Sequence, residues 1–179
     1  MGPIETLKHE HRVIEMVLDA IDAQADRVRA GRVEAPELKA FSSQALDFVR
    51  GFADQCHHAK EEGVLFRAMA EAGVRVEGGP LGVMLAEHEV GRACVREAAE
   101  SLGAGDLART AERLAAYAKL LRQHIDKEDN VLYAMAEGAL DRVSLEGMGA
   151  EFDRIEAEEV GEGTHDRYHE FAHRLRDSR

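Results

Sequence analysis

Apolar residues recur at intervals of three and four through most of the chain. In the first stretch these positions are Leu7, Val13, Ile14, Val17, Leu18 and Ile21. The next stretch repeats the pattern with Leu38, Phe41, Ala45, Leu46, Val49 and Phe52. This spacing places the apolar side chains on one face of a helix, which then packs against other helices. The sequence therefore predicts an all-α protein.

Prolines and glycines mark the ends of four long predicted helices. Proline suits the first turn of a helix, where no backbone N–H is needed, and glycine suits the residue after the last turn. The predicted boundaries are Pro3 to Arg29, Pro36 to Ala70, Pro80 to just before Gly103, and Asp106, as the N-cap, to Glu137. Four helices of this length joined by short loops predict an up-down-up-down four-helix bundle.

The C-terminal residues 144–179 follow a different pattern. Four glycines divide them: Gly147 and Gly149 are expected to interrupt one helical pattern, and Gly161 and Gly163 to end it. Thr164 is placed to cap a last short helix through Arg176. We expect a bundle at residues 1–140 and a C-terminal helical extension at residues 141–179 that packs on it.

Composition and charge narrow the range of partners. The chain has 179 residues, 45% of them hydrophobic, and a net charge of −12. An acidic chain without a Lys/Arg stripe is a poor candidate for binding nucleic acid or an anionic membrane. The two cysteines make no disulfide framework, and no segment reads as an export signal or a membrane span. We therefore expect a cytoplasmic protein with no nucleic-acid or membrane partner, and any protein partner stays unknown.

Two stretches of ten residues resemble each other. HHAKEEGVLF begins at His57, and HIDKEDNVLY begins at His124. Each contains a His-x-x-x-Glu motif, which ends at Glu61 in the first stretch and at Glu128 in the second. Because residues four apart on a helix lie on one face, each of these helices presents an imidazole and a carboxylate together.

A weaker match relates the first and third helices, in which Glu10 and His11 resemble Glu87 and His88. The chain then reads as two helical hairpins, each with one early histidine and one late His-x-x-x-Glu. At 1.5 Å per residue, these six side chains fall roughly 12–20 Å from the same end of the bundle. We expect them to converge inside it as metal ligands. The predicted ligands are His11, His57, Glu61, His88, His124 and Glu128.

Residues next to the two motifs have more ordinary interpretations. The repeat aligns His58 and Glu62 with Ile125 and Asp129, which favours positions on the outer face or behind the ligands. Tyr117 lies two turns before the histidine of the second motif, on nearly the same face. It is interpreted either as a hydrogen-bond donor behind the ligands or as a core residue.

The remaining histidines are not expected to bind metal. His9 lies two residues from His11 and hence on another face of the first helix. The last helix carries three histidines at helical spacing but no matching carboxylate repeat: His165, His169 and His173. We interpret these three as a polar helix face.

The predicted ligand set also narrows the choice of metal. Four imidazoles and two carboxylates exceed the needs of one tetrahedral zinc ion. They suit two ions, each held by two histidines and bridged by both glutamates. Mixed nitrogen and oxygen ligation with open positions favours iron, with manganese next. Ferritin-like bundles use paired Glu-x-x-His motifs instead. The predicted cofactor is therefore a carboxylate-bridged pair of iron ions.

These motifs resemble the hemerythrin-like, or HHE cation-binding, family over about residues 4–137. The resemblance rests on EHRVIEMVL around His11, HHAKEEGVLF, GPLGVMLAEH leading to His88, and QHIDKEDNVLY. The last three stretches are also similar to those of iron–sulfur-cluster repair proteins within that family. The resemblance implies a left-twisted four-helix bundle with a di-iron centre, and it assigns the same six residues as ligands.

One position departs from the oxygen-carrying hemerythrins, which place a second histidine one turn from the helix-three histidine. Met84 and Arg92 occupy the candidate positions in this chain. The site is then one ligand short of the carrier pattern. More open coordination would remain for oxygen, nitric oxide or peroxide, and simple reversible oxygen storage is not expected.

The leading functional prediction is a non-haem di-iron protein that binds or reacts with oxygen, nitric oxide or peroxide, for sensing, detoxification or storage. One alternative is an iron-handling protein that donates iron for iron–sulfur-cluster repair. Another is a weak di-iron oxidase or peroxidase, and a further one is a structural bundle with a vestigial site. The sequence leaves open which of these reactions matters.

Overall fold

The computed structural model describes residues 2–160 and 164–177, and the regular structure of this part of the chain is entirely helical. Six helices follow one another, as predicted for an all-α bundle with C-terminal helices. Within the described residues, no helix combines the length and the apolarity needed to cross a bilayer. The helices are α1, Pro3–Arg29; α2, which joins Ala35–Phe48, Val49–His58, Glu61–Leu65 and Phe66–Glu71; α3, Pro80–Gly103; α4, which joins Leu107–Lys127, Glu128–Leu132 and Tyr133–Ala139; α5, which joins Arg142–Ile155 and Glu156–Val160; and α6, Thr164–Asp177.

The four long helices begin and end close to the residues that the sequence marks. Pro3 and Pro80 occupy the first turns of α1 and α3. The Asp106 carboxylate accepts a hydrogen bond of 2.9 Å from the backbone N–H of Arg109 and so caps α4. Gly105 precedes it with φ of 78°, a conformation that glycine adopts without steric cost. The predicted helix boundaries are confirmed to within two residues.

Both His-x-x-x-Glu motifs lead into a turn that is wider than an α-helical turn. The backbone N–H of Phe66 bonds to the carbonyl of Glu61, five residues back, and that of Tyr133 bonds to the carbonyl of Glu128. These are π-type turns, which are rare and frequent at functional sites. Each turn starts at the glutamate of its motif, so the repeat extends to the backbone.

Two hydrophobic clusters fill the bundle, and a layer of polar side chains separates them. Along α1, Leu7 belongs to one cluster and Ile14 to the other. Along α2, Phe52 and Leu65 are divided in the same way. The buried polar side chains between these positions, and at the matching depth of α3 and α4, are Glu10, His11, His57, His58, Lys60, Glu61, His88, His124 and Glu128. Such a buried polar layer is costly unless every member finds a partner.

The last two helices pack against the other four. Phe152 of α5 joins the cluster that contains Leu65. Tyr168 of α6 contacts the ring of Phe48 edge-on at 5.6 Å between centroids. A Cβ atom added at Gly51 of α2 would lie 2.0 Å from the Tyr168 hydroxyl oxygen, so only glycine allows α6 to approach α2 this closely.

The predicted interruption of the C-terminal helix is wrong. Gly147 and Gly149 lie inside Arg142–Ile155, which continues as a regular helix through both of them. The apolar side chains of Met148 and Phe152 are buried against the bundle, and this packing outweighs the weak helix propensity of two glycines. The predicted end at Gly161 and Gly163 and the cap by the Thr164 side chain lie outside the described residues.

Candidate metal centre

The six residues that the repeat singles out come together inside the bundle. Each of the four long helices contributes one histidine, and α2 and α4 each add the glutamate one turn later. All six side chains are buried, with at most 2% of their surface exposed. They are His11, His57, Glu61, His88, His124 and Glu128.

The four histidines form two pairs. The rings of His11 and His57 lie 4.6 Å apart between centroids, with an angle of 59° between their planes. The rings of His88 and His124 lie 4.6 Å apart at 60°, and their Nε2 atoms are separated by 2.8 Å. Two imidazoles that bind neighbouring positions of one ion adopt this kind of spacing, because metal–nitrogen bonds are about 2.1 Å long.

Each glutamate reaches both histidine pairs. The Glu61 Oε2 atom lies 3.6 Å from the Nε2 atoms of both His57 and His88. The two oxygens of Glu128 lie 3.3 Å from His11 Nε2 and 3.1 Å from His124 Nε2. Both carboxylates therefore lie between the pairs, which is where a carboxylate that bridges two cations must be.

A carboxylate outside this set holds the other nitrogen of each histidine. Glu10 lies 2.8 Å from His57 Nδ1 and Glu87 lies 2.9 Å from His124 Nδ1. Asp129 lies 2.8 Å from the Nδ1 atom of His11, and Glu62 lies 2.6 Å from that of His88. A carboxylate accepts, so each Nδ1 carries the proton and each Nε2 presents its lone pair inward. Glu62 thus lies behind a candidate ligand, one of the two positions left open by the repeat.

This outer ring follows the internal repeat of the sequence. The residue before each early histidine, Glu10 or Glu87, contacts the motif histidine of the adjacent helix. The residue after each motif glutamate contacts an early histidine. Lys60 and Lys127, which also match in the repeat, pair with Glu10 and Glu87. The two halves of the chain therefore build two halves of one centre.

Burial and charge place the two central carboxylates in different states in the protein alone. Burial raises the pKa of Glu61 well above its usual value, and the nearby Glu128 carboxylate raises it further. Burial also opposes ionisation of Glu128, but the adjacent rings of His11 and His124 hold its pKa well below the usual value. Burial lowers the pKa of His57 to about 4, which keeps that imidazole neutral and its lone pair available.

The donor set fits two cations. Three of the four central carboxylate oxygens are buried without a hydrogen-bond partner among the described residues: Glu61 Oε2, Glu128 Oε1 and Glu128 Oε2. Buried carboxylate oxygens without partners are costly, and cations bound between the carboxylates and the Nε2 lone pairs would compensate them. The donor atoms also fall into two groups of four that share Glu61, which suits two ions better than one.

His58 lies at this centre. The sequence analysis expected its side chain either on the outer face of the helix or behind the ligands. Only 3% of its surface is exposed, and one of its ring nitrogens groups with donor atoms of Glu61, His88 and His124. The outer-face interpretation is wrong because the π-type backbone at this point turns His58 inward as well as His57. The repeat gave no signal for it, since Ile125 occupies the matching position.

The position of His58 differs from that of the paired histidines. Its ring stacks on His88 at 3.9 Å with only 16° between the planes. One of its ring nitrogens lies within 4.8 Å of donor atoms of Glu61, His88 and His124, although the repeat includes His58 in neither pair. The hydroxyl of Tyr133, by contrast, donates a hydrogen bond of 2.7 Å to Glu61, which fixes the carboxylate between the pairs.

Neither candidate position for the further histidine of oxygen-carrying hemerythrins holds a histidine. Met84 is buried in the second hydrophobic cluster. The Arg92 guanidinium pairs with Asp54 at 2.8 Å and with Glu62 at 2.7 Å. Arg92 therefore supports the carboxylate that holds His88 and does not itself face the two histidine pairs.

The histidines of α6 are half-buried rather than fully on a solvated face. The His169 ring stacks on His9 of α1 at 5.5 Å, and it lies 4.4 Å from the His165 ring with an angle of 37° between the planes. His165 also groups with the carboxylates of Glu10 and Glu156. The ammonium of Lys60 pairs with both of these carboxylates, and none of the three residues of this second group belongs to the six predicted ligands.

Fold and centre together define a class: an all-α bundle with buried His/Glu groups suited to binding cations. The hemerythrin HHE cation-binding domain model matches residues 2–136. The chain belongs to this family, as the resemblance implied. Searches among curated proteins and among solved structures gave no match.

Proposed function

We propose that this chain is a non-haem di-iron protein and that the two histidine pairs each hold one iron ion. His11 and His57 would hold one ion, His88 and His124 the other, and Glu61 and Glu128 would bridge them. The observation that carries this proposal is the set of four carboxylates that contact the Nδ1 atoms of the histidines. They belong to Glu10, Glu62, Glu87 and Asp129. Partners of this kind fix the tautomer and the direction of metal-binding histidines and increase their basicity.

The choice of iron follows from the chemistry of the donors. Nitrogen and oxygen ligands without any thiolate favour iron or manganese over a structural zinc site. Cys56 lies outside the groups of candidate ligands among the described residues, and burial raises the pKa of its thiol to about 12. The thiol therefore stays protonated and does not compete for the ions.

A bound iron pair would supply ligand-binding and redox chemistry toward oxygen, nitric oxide or peroxide. The protein would position the ions, neutralise their charge and limit the access of water. Tyr133 and Phe66 contribute to this enclosure, since the Tyr133 ring stacks on His11 at 5.5 Å and the Phe66 ring stacks on His88 at 5.9 Å. Sensing, detoxification or storage of such a small ligand is the function that this arrangement supports best.

Metal analysis tests this proposal directly. The chain is produced with ample iron, purified without oxygen, and analysed for metal before and after exposure to air. We expect close to two iron ions per chain, together with an absorption change on exposure to air that reports a coupled pair. A content that stays near one ion after full reconstitution would rule out the bridged pair.

A matched pair of histidine variants provides the control. His57→Ala removes a proposed ligand, and His173→Ala removes a half-buried histidine of α6 that lies outside the groups of candidate ligands. We expect the first variant to lose at least one ion and the second to keep both. Equal metal contents in the two variants would show that His57 is not a ligand.

A further inference from the structure

Lys60 is buried as completely as the candidate metal ligands, with 1% of its side chain exposed. Its ammonium pairs with the carboxylate of Glu10 and, at 3.0 Å, with that of Glu156. A lysine is almost never buried in this way without such partners, because removing an ammonium from water is costly. Glu10 in turn lies 2.8 Å from the Nδ1 atom of His57. A continuous series of polar contacts therefore runs from Glu156 to a proposed ligand.

The outer end of this series belongs to the two C-terminal helices. Phe152 and Glu156 lie one turn apart on α5, and the centroid of the Phe152 ring lies 6.0 Å from the Lys60 ammonium nitrogen. α6 adds His165, whose Nδ1 atom lies 3.6 Å from the second carboxylate oxygen of Glu156. Both helices lie outside residues 2–136, which the family model matches. The C-terminal helices therefore reach the candidate centre through one charged side chain.

Glu156 changes the balance of charge beside Glu10. Lys60 and Glu10 alone would form a pair without net charge, whereas two carboxylates and one ammonium carry one net negative charge. Because Lys60 and Glu10 are buried, solvent screens this charge only in part. A carboxylate that keeps more of its negative charge accepts a stronger hydrogen bond from the His57 Nδ1–H group. The opposite ring nitrogen then becomes a more basic ligand.

The matching series in the other half of the repeat ends in solvent. Glu87 and Lys127 occupy the positions that correspond to the buried pair. The Lys127 side chain is 40% exposed, against 1% for Lys60. Glu87 is 20% exposed, against 2% for Glu10. Charges in contact with water are strongly screened and contribute little. The two motif histidines therefore have the same kind of support in different surroundings.

We propose that Glu156 is a positioning residue of the metal centre, which acts on His57 through the buried pair of Lys60. Its consequence for metal binding rests on the di-iron function proposed above. The ion held by His11 and His57 binds more tightly with Glu156 in place than without it, and the ion of the other pair is unaffected. The C-terminal helices therefore set the affinity of one position in a pair that the repeat alone would make alike.

NMR of the full-length, metal-free chain tests the positioning step by itself. The readout is the Nδ1–H resonance of the His57 ring, which is assigned by its loss in His57→Ala. Glu156→Gln keeps the size of the side chain and removes its charge, so we expect this resonance to move upfield, as a weaker hydrogen bond requires. The ring resonances of the other three candidate histidines should keep their positions. Glu156→Asp retains the charge and should return the resonance toward its original position.

Zinc affinity tests the consequence for the metal centre. The full-length chain is titrated with zinc in competition with a chelator of known affinity. Removal of a direct partner of a metal-binding histidine typically weakens binding by about 10–100-fold, and Glu156 acts from further away, so we expect one of two ions to bind about threefold to tenfold more weakly in Glu156→Gln. The matched control is Glu158→Gln on the same helix. That side chain is 58% exposed and pairs with Arg154, so neither the resonance nor the affinities should change.

Three outcomes would overturn the proposal. They are a His57 resonance that does not move in Glu156→Gln, an equal movement in Glu158→Gln, and an equal weakening of both ions, which a general loosening of the bundle would produce. A chain that binds a single zinc ion would contradict the metal pair instead. The NMR comparison uses the metal-free chain, so it decides the role of Glu156 in either case.

Discussion

At the scale of single residues, the direction of each imidazole depends on a carboxylate outside the ligand set. Asp129 holds His11, and Glu62 holds His88, each by a contact to Nδ1 shorter than 3 Å. Both acidic residues directly follow a motif glutamate. Each His-x-x-x-Glu motif therefore supplies proposed ligands, and the acidic residue after it holds a histidine of the neighbouring helix. Sequence spacing alone did not reveal this second role.

The first prediction concerns the bridging glutamates. Glu61→Ala or Glu128→Ala should reduce both metals and not only one, because each carboxylate contacts a histidine of each pair. Removal of a bridging anion also leaves two nearby cations less compensated. Metal analysis after reconstitution measures the effect. Glu146→Ala, at an exposed site on α5, is the control, and full occupancy in either bridging variant would contradict the bridge.

The second prediction separates His58 from His57. His57→Ala should lose about one ion per chain, whereas His58→Ala should keep close to two with a weaker affinity. The reason is the internal repeat, which aligns His57, and not His58, with His124. If His58→Ala empties one position and His57→Ala does not, the neighbouring histidine is the ligand and the proposed set is wrong.

At the scale of helices, the two hairpins are built by the same rules but are not identical. Each motif helix contains a π-type turn that starts at its glutamate. In α2 a longer stretch, Val49–His58, has this widened form before the motif as well. The extra residue per turn rotates His58 toward the interior, and the equivalent part of α4 remains an α-helix.

The C-terminal helices share hydrophobic clusters with the bundle, and the division near residue 140 stays a prediction. α6 docks where α2 has no side chain at Gly51, against the Tyr168 ring. Its hydroxyl also donates a hydrogen bond of 3.3 Å to the carbonyl of Asp47. Docking of α6 therefore includes a close approach of two helices at Gly51.

Gly51→Ala provides the third prediction. Alanine favours the helix by about 0.5–1 kcal/mol over glycine, but the overlap with Tyr168 costs about 1–3 kcal/mol, so the net effect should be destabilising. Urea unfolding measures the free energy, and hydrogen exchange shows whether α6 alone loosens. Tyr168→Ala in the same chain should recover part of the loss. A Gly51→Ala variant as stable as the original chain would show that α6 is not held this way.

At the scale of the whole molecule, a polar layer divides the hydrophobic interior in two. Folding buries nine polar or charged side chains there, and their mutual contacts leave three carboxylate oxygens without partners. Bound metal would stabilise the folded chain by mass action, because the unfolded chain has no such constellation. Stability and metal content should therefore change together.

The last prediction concerns the reaction with oxygen. Met84 and Arg92 occupy the two candidate positions for the further histidine of oxygen-carrying hemerythrins, and neither residue is a histidine. We therefore expect the anaerobic, fully reduced protein to be oxidised by oxygen and to stay oxidised after an argon purge. Stopped-flow absorption records both steps. Recovery of the colourless reduced form on purging would show reversible carriage and would contradict this reasoning.

The sequence by itself determined the helices, their order and the six residues that converge. These follow from short-range rules. The rules are the helical period of apolar residues, proline and glycine at helix ends, and two His-x-x-x-Glu motifs at the same distance from one end of the bundle. A repeat of this kind is informative because two copies of His-x-x-x-Glu constrain each other. The same logic misplaced the break at Gly147 and Gly149, where packing of Met148 outweighs local propensity.

Only the tertiary structure decided what surrounds the six residues. Which carboxylate supports which histidine depends on contacts between helices that are far apart in sequence, such as Asp129 with His11. The inward position of His58 depends on a widened helical turn, and a repeat comparison cannot register a residue that has no counterpart. A cavity lined by Val49, Arg92 and Tyr117 forms where three helices meet. Such features depend on side-chain directions across helix interfaces, which no local spacing encodes.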